Sequence, residues 1–122
     1  MATITIAEYD EILEPVRNYI AGFNEHDVEK FKAAFHKDAW IFYIDDEGEL
    51  HKGPLDEKVF QEWAQPHEAF RPVEMRVLSV IRMGDAANVA ITCGEEWRDF
   101  HSLVRVNGTW RITNKTASHS SR

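Results

Sequence analysis

Asn107-Gly108 lies between two runs of strand-forming residues, 97–106 and 109–116. An Asn-Gly pair in that setting is the strongest short signal for a two-residue hairpin, because both residues accept the left-handed backbone of a type I′ turn. Such a turn dictates register. Arg105 is expected opposite Trp110, Leu103 opposite Ile112, His101 opposite Asn114 and Asp99 opposite Thr116. Directly opposed residues share a sheet face. Leu103, Ile112 and Trp110 mark that face as apolar, and Asp99, His101 and Asn114 follow on it by alternation. A polar cluster inside an apolar concavity is what a binding or catalytic site needs.

The rest of the chain places helices before strands. Thr5-Ile6-Ala7-Glu8 reads as a capping box, followed by a helical stripe of Ile12, Val16, Tyr19, Ile20 and Phe23. Pro15 interrupts the stripe and predicts a kink or a split. Asp27 is placed to cap a shorter second helix bearing Phe31 and Phe35. Residues 39–45 read as a strand, 49–52 as a short return strand, and Gly53-Pro54 as a break with Pro54 starting a third helix. Residues 73–83 and 87–93 flank Gly84-Asp85 as a further hairpin, and the tail from Ser118 is expected to fray. Helices first and a meander afterwards imply an α+β fold, with residues 1–122 as one domain. Three helices cover only one face of so long a sheet, leaving the other for solvent or a partner subunit.

Composition narrows the partners. Fourteen Lys and Arg against 21 Asp and Glu give a formal charge of −7, which repels nucleic acid and anionic membranes. No apolar run approaches the roughly 20 residues of a membrane span. Cys93 stands alone, so no internal disulfide forms, and together with the lack of a charged-then-apolar start this points to the cytosol. The six histidines are scattered without paired ligand spacing, which predicts no metal site. The chain has neither a phosphate-cradling glycine loop nor a serine nucleophile elbow, so no cofactor is expected.

Three stretches carry a resemblance: residues 19–27, residues 35–39 (Phe-His-Lys-Asp-Ala), and residues 99–115, from Asp-Phe-His-Ser-Leu to Asn-Gly-Thr-Trp-Arg-Ile-Thr-Asn-Lys. Across nearly its whole length the chain resembles the nuclear transport factor 2-like, or SnoaL-like, superfamily, in the branch labelled putative lumazine-binding. The resemblance implies a cone: a curved antiparallel sheet with three N-terminal helices enclosing a pocket for a small organic ligand. It also implies a homodimer through the open sheet face, where Phe100, Ser102, Val104, Val106, Arg111, Thr113 and Lys115 are expected. Superfamily members include isomerases, dehydratases, cyclases and non-catalytic proteins, so the fold implies a pocket and not a reaction.

Two readings of the cluster stay open. In one, His101 is the general acid or base of a cofactor-independent lyase, isomerase or cyclase, Asp99 orients it, and Asn114 or Tyr19 donates to a substrate carbonyl. In the other, His101 and Asn114 satisfy each other in a non-catalytic ligand-binding or dimerisation module. By resemblance Tyr19 matches the phenol of steroid isomerases. Tyr43, however, stands where their carboxylate base belongs and Ser102 falls near the place of their second acid, which argues against that reaction. Trp40, Phe42, Tyr43, Trp63, Trp97 and Leu103 are the candidate pocket walls, with Trp40 and Phe42 on one strand face and Tyr43 on the other. His36 and Asp38, two apart at a helix–strand junction, are expected to stabilise a turn.

Overall fold

Thr5 opens helix α1 (Ile6–Asn24) with a reciprocal cap: its hydroxyl accepts from the Glu8 N–H, and the Glu8 carboxylate accepts from the Thr5 N–H. Such a cap is worth about 1 kcal/mol. This is seen in a computed structural model that describes residues 4–122. α1 passes through Pro15 as one helix, where a kink or split was expected. Pro15 is itself buried, with Ile12, Leu13, Val16, Tyr19 and Ile20 buried on either side of it. That apolar stripe packs against the sheet and offsets the hydrogen bond that proline cannot make.

Helix α2 (Val28–Ala34) starts where expected, with the Asp27 carboxylate accepting from the Glu29 N–H. It crosses α1 at Gly22, where an added Cβ would lie 2.6 Å from the Phe31 ring. Only glycine permits that approach. Phe35 leaves the helix and begins strand β1 (Phe35–Ile44), and β2 (Leu50–Pro54) pairs back on it. Pro54 therefore closes a strand instead of opening a helix. Asp56 caps α3 (Glu57–Trp63), its carboxylate accepting from the Val59 N–H.

Strands β3 (Met75–Met83), β4 (Ala86–Cys93), β5 (Trp97–Val106) and β6 (Thr109–His119) complete one curved, unclosed sheet of order β2-β1-β6-β5-β4-β3. Every neighbouring pair is antiparallel except β1 and β6, which run parallel. β6 continues through His119, past the point where fraying was expected. The Ser120 N–H donates to the Glu96 carbonyl at 2.7 Å and the Arg122 guanidinium to the Asp46 carbonyl at 2.8 Å.

The β5–β6 hairpin turns on Asn107 and Gly108, both in the left-handed region with φ 52 and 79. Arg105 pairs with Trp110 and Leu103 with Ile112, as the turn dictates. The register then shifts. Ser102 pairs with Asn114, His101 with Lys115, Phe100 with Thr116 and Asp99 with Ala117, so Thr113 is an extra residue on β6. Its hydroxyl donates to the Ser102 carbonyl at 3.1 Å and holds the bulge. β5 carries no insertion, so Asp99 and His101 keep the inner face with Leu103. Beyond the bulge, β6 is inverted. Asn114 turns to the outer face beside exposed Ser102 and Trp40, and Lys115 takes the inner place intended for it. The expectations for both residues are corrected by this one bulge.

Candidate functional site

The concave face of the sheet is covered by α1 and α2 over most of its length, which buries Leu103, Ile112, Val89 and Ile91 in the core. Leu103 is thus a packing residue and not a pocket wall. Towards the other end of the sheet the helices leave a hollow of about 1160 Å³. Tyr43, Trp63 and Trp97 stand in its walls as the sequence suggested, joined by Phe23 and Phe70. Trp40 and Phe42 do not reach it. They alternate with Ile41 and Tyr43 along β1 and therefore face outward, Trp40 being 45% exposed.

The rim is formed by residues 64–74, between α3 and β3, and by the β4–β5 turn. Asn24, the last residue of α1, holds the first of these segments in the manner of a strand. Its side-chain amide donates to the Val73 carbonyl at 2.9 Å and its carbonyl accepts from the Val73 N–H at 2.6 Å. His26, with φ 53, packs its ring edge-on against Phe70 at 4.7 Å.

At the floor, four polar side chains meet around one carboxylate oxygen. The Tyr19 hydroxyl donates to Asp99 Oδ2 at 3.1 Å, His101 Nε2 lies 3.4 Å from it, and Lys115 Nζ lies 3.9 Å from it. Asp99 and His101 have no exposed side-chain surface. The His101 contact is not a formed hydrogen bond, since neither imidazole nitrogen has a partner among the described residues, and Asp99 Oδ1 has none either. Lys115 Nζ sits over the Tyr19 ring at 4.8 Å and the Trp63 ring at 4.9 Å, an ammonium held between two aromatic faces. Its distance from Asp99 is beyond hydrogen-bond reach. The charges attract, yet the ammonium's donors are left for another acceptor.

Burial and charge fix the protonation states. Burial alone would raise the Asp99 carboxyl, but the Lys115 charge and the contacts with His101 and Tyr19 outweigh it and hold the carboxyl below its usual range. Burial pushes the His101 imidazole below its usual value despite the opposing pull of Asp99, so the ring is neutral at pH 7. Burial and the Asp99 charge drive the Tyr19 phenol well above its ordinary value. The Cys93 thiol, 4.0 Å from the Tyr19 hydroxyl, is pushed up to about 11 for the same two reasons. It is therefore an inert thiol at neutral pH.

Of the polar floor, Tyr19, Lys115 and Cys93 reach the hollow, while Asp99 and His101 lie behind them. The sequence reading missed Lys115. The one trace of it in the sequence was the parity of β6: Trp110 and Ile112 are even-numbered apolar positions and Ala117 is odd, a mismatch that one inserted residue reconciles. Among the described residues, Asp45, Glu49 and His51 form the group whose ligand atoms lie close enough to hold a metal ion. The Asp45 carboxylate there already accepts from the N–H groups of Glu47 and Glu49 and contacts His51 Nε2 at 2.8 Å, as a self-satisfied turn does. His36 and Asp38 lie inside β1 and not in the turn expected of them: His36 Nδ1 accepts from the Asp38 N–H where the register of β1 against β6 shifts.

Residues 7–118 match the family described as putative lumazine-binding. The chain belongs to that family. No curated protein matches it by sequence. Its lumazine-binding-family fold is shared with crystal structures of nuclear transport factor 2-like proteins of unknown function. One, from Shewanella baltica OS155, is 26% identical with a TM-score of 0.79, over 97% of this chain and 98% of the other. Others come from Methylobacillus flagellatus KT, 23% identical with a TM-score of 0.78 over 96% and 95%, and from Silicibacter pomeroyi DSS-3, 22% identical with a TM-score of 0.77 over 95% and 99%. Among the described residues, no helix is long and apolar enough to cross a membrane.

Proposed function

We propose that the hollow binds a small, flat organic molecule, its ring lying among Trp63, Tyr43 and Trp97 and an acceptor oxygen taking the free donors of Lys115. The observation that carries this is the ammonium fixed between the Tyr19 and Trp63 rings at the bottom of an aromatic hollow. Ligand sites combine apolar walls with a few polar groups that fix orientation, in clefts of roughly 300–1,000 Å³. This hollow is somewhat larger and open on one side. The family description adds a candidate class, since lumazine is a flat bicycle carrying two carbonyl oxygens.

Asp99 serves here as the fixed counter-charge of Lys115, and Tyr19 as the donor that holds that carboxylate in place. The lyase or isomerase reading, with His101 as general acid or base, has less support, because His101 is fully buried behind Tyr19 and Lys115. The outer face, with Trp40, Leu78 and Phe100 exposed, supports a homodimer, and the acidic charge supports a protein that avoids nucleic acid, while the lone Cys93 fits a cytosolic one.

Fluorescence titration with lumazine tests the reading. Replacing Lys115 alone would strand a buried carboxylate, so the paired variant Lys115→Met with Asp99→Asn is the cleaner comparison. A hydrogen bond to a charged group is worth about 1.5–3 kcal/mol, which predicts roughly 10- to 150-fold weaker binding. Equal affinity in the folded double variant would remove Lys115 from the site.

A further inference from the structure

The inner face of β2 contains a glycine with no conformational reason to be one. Gly53 pairs directly with Ile41 in an unbroken ladder, with no bulge between the two strands and no left-handed φ. A Cβ built on it meets nothing within 4 Å. Neither backbone geometry nor crowding therefore demands glycine, although glycine weakens a strand. A glycine there leaves room for another group to approach the backbone closely, one of the uses of glycine in strands.

The space above Gly53 is a notch of about 260 Å³, bounded by Ile41 and Val59 at its base and by His51 and Glu62 at its lip. Tyr43 and Trp63 line both the notch and the main hollow, so the two spaces adjoin across these rings. Stacking at 4.5 Å with the planes 6° apart fixes the His51 ring against Tyr43. β2 is also the sheet edge, so its backbone is paired on one side only. An apolar base with a polar lip and exposed peptide suits a short hydroxylated chain better than an alkyl one.

We infer that the notch over Gly53 is a subsite for the flexible, hydroxylated side chain of a ligand whose flat ring lies in the main hollow. The inference rests on the reading of that hollow given above. A ligand so held is bifunctional: a ring with an acceptor oxygen at Lys115, and a polyol tail over Gly53.

The test compares lumazine with an 8-polyhydroxyalkyl lumazine on the wild-type protein and on Gly53→Val. Valine suits a strand, and the open space above Gly53 admits it, so the variant should melt at or above the wild-type temperature. The expected result is at least tenfold tighter binding of the tailed compound by wild type. Gly53→Val should lower that to the affinity of lumazine and leave lumazine itself unchanged. Lumazine binding with no gain from the tail, or a gain that survives Gly53→Val, overturns the subsite alone. Binding of neither compound overturns the reading of the main hollow and the subsite with it.

Discussion

Acidification should weaken this protein through His101 in a pH range well above that of its buried carboxylate. The imidazole is fully buried, with neither nitrogen hydrogen-bonded among the described residues. It faces Asp99 on its own strand, Lys115 directly across on β6 and the Tyr19 ring from α1, with ring centroids 5.0 Å apart. Burial depresses its pKa, the Asp99 charge opposes this, and the Lys115 charge adds to it. Because the folded value is depressed below the ordinary 6.5, the unfolded chain takes up the proton first as pH falls. Stability is therefore complete above pH 6.5 and declines below it until the folded imidazole also protonates. While that ring stays neutral, each pH unit below 6.5 costs about 1.4 kcal/mol, so the loss from pH 7.5 to 5.5 is at most about 1.4 kcal/mol.

Asp99 acts in a separate window. Its folded pKa lies below the ordinary 3.8, so its contribution is present above that value and lost only as pH falls through the folded one. Urea unfolding followed by circular dichroism at pH 7.5 and 5.5 measures the His101 effect, with His101→Leu as the comparison. The other five histidines are common to both proteins, so the difference between the two pH slopes isolates His101. Wild type should lose more stability than the variant over this range, by up to about 1.4 kcal/mol. Equal slopes, or a steeper one in His101→Leu, would refute the assignment of a buried neutral imidazole.

Two further outcomes follow from packing. Gly22→Ala gains up to about 1 kcal/mol of helix propensity but drives a methyl into Phe31, whose ring is fully buried and stacked on Phe60 at 5.6 Å. Overpacking of that kind costs about 1–3 kcal/mol, so thermal denaturation should show a net loss, and a melting point at or above wild type would mean that α2 shifts freely. Phe100→Asp places a charge on the uncovered sheet face, where Phe100 is 62% exposed, and should convert the proposed homodimer to a monomer by light scattering without changing the circular dichroism spectrum. An unaltered dimer would place the interface elsewhere.

The sequence made the architecture readable because its signals were local. The capping box at Thr5, the stripe from Ile12 to Ile20 and the Asn107-Gly108 turn each depend on a few adjacent residues, and each appears as expected. The site was half readable for a related reason. Parity counted back from the turn places Asp99 and His101 correctly, because β5 is regular. It fails on β6, because one inserted residue reverses every later side chain. The Thr113 bulge has no glycine to mark it, and a strand lysine is ordinarily a surface residue. Gly53 was misread for the opposite reason. Beside Pro54 it looks like a chain break, and only the pairing with Ile41 reveals a strand position lacking its side chain.

What distinguishes the floor of the hollow is that an apolar floor would serve stability as well or better. A buried carboxylate and ammonium of this kind can often be exchanged for well-packed apolar residues at no loss or with a gain of about 1–4 kcal/mol. Each unmatched nitrogen of His101 adds a desolvation penalty of about 1–3 kcal/mol. Leucine or phenylalanine at these positions would continue the surrounding core, which is otherwise apolar along Val89, Ile91, Leu103 and Ile112. Costs of this type collect where a protein must present fixed charge to something it binds. Here they collect behind the wall of the hollow from which Lys115 projects. The glycine over the neighbouring notch is a second local cost, and it borders the same two rings, Tyr43 and Trp63. Two independent sacrifices of stability converging on one cavity are a stronger argument for a ligand than the size of the cavity alone.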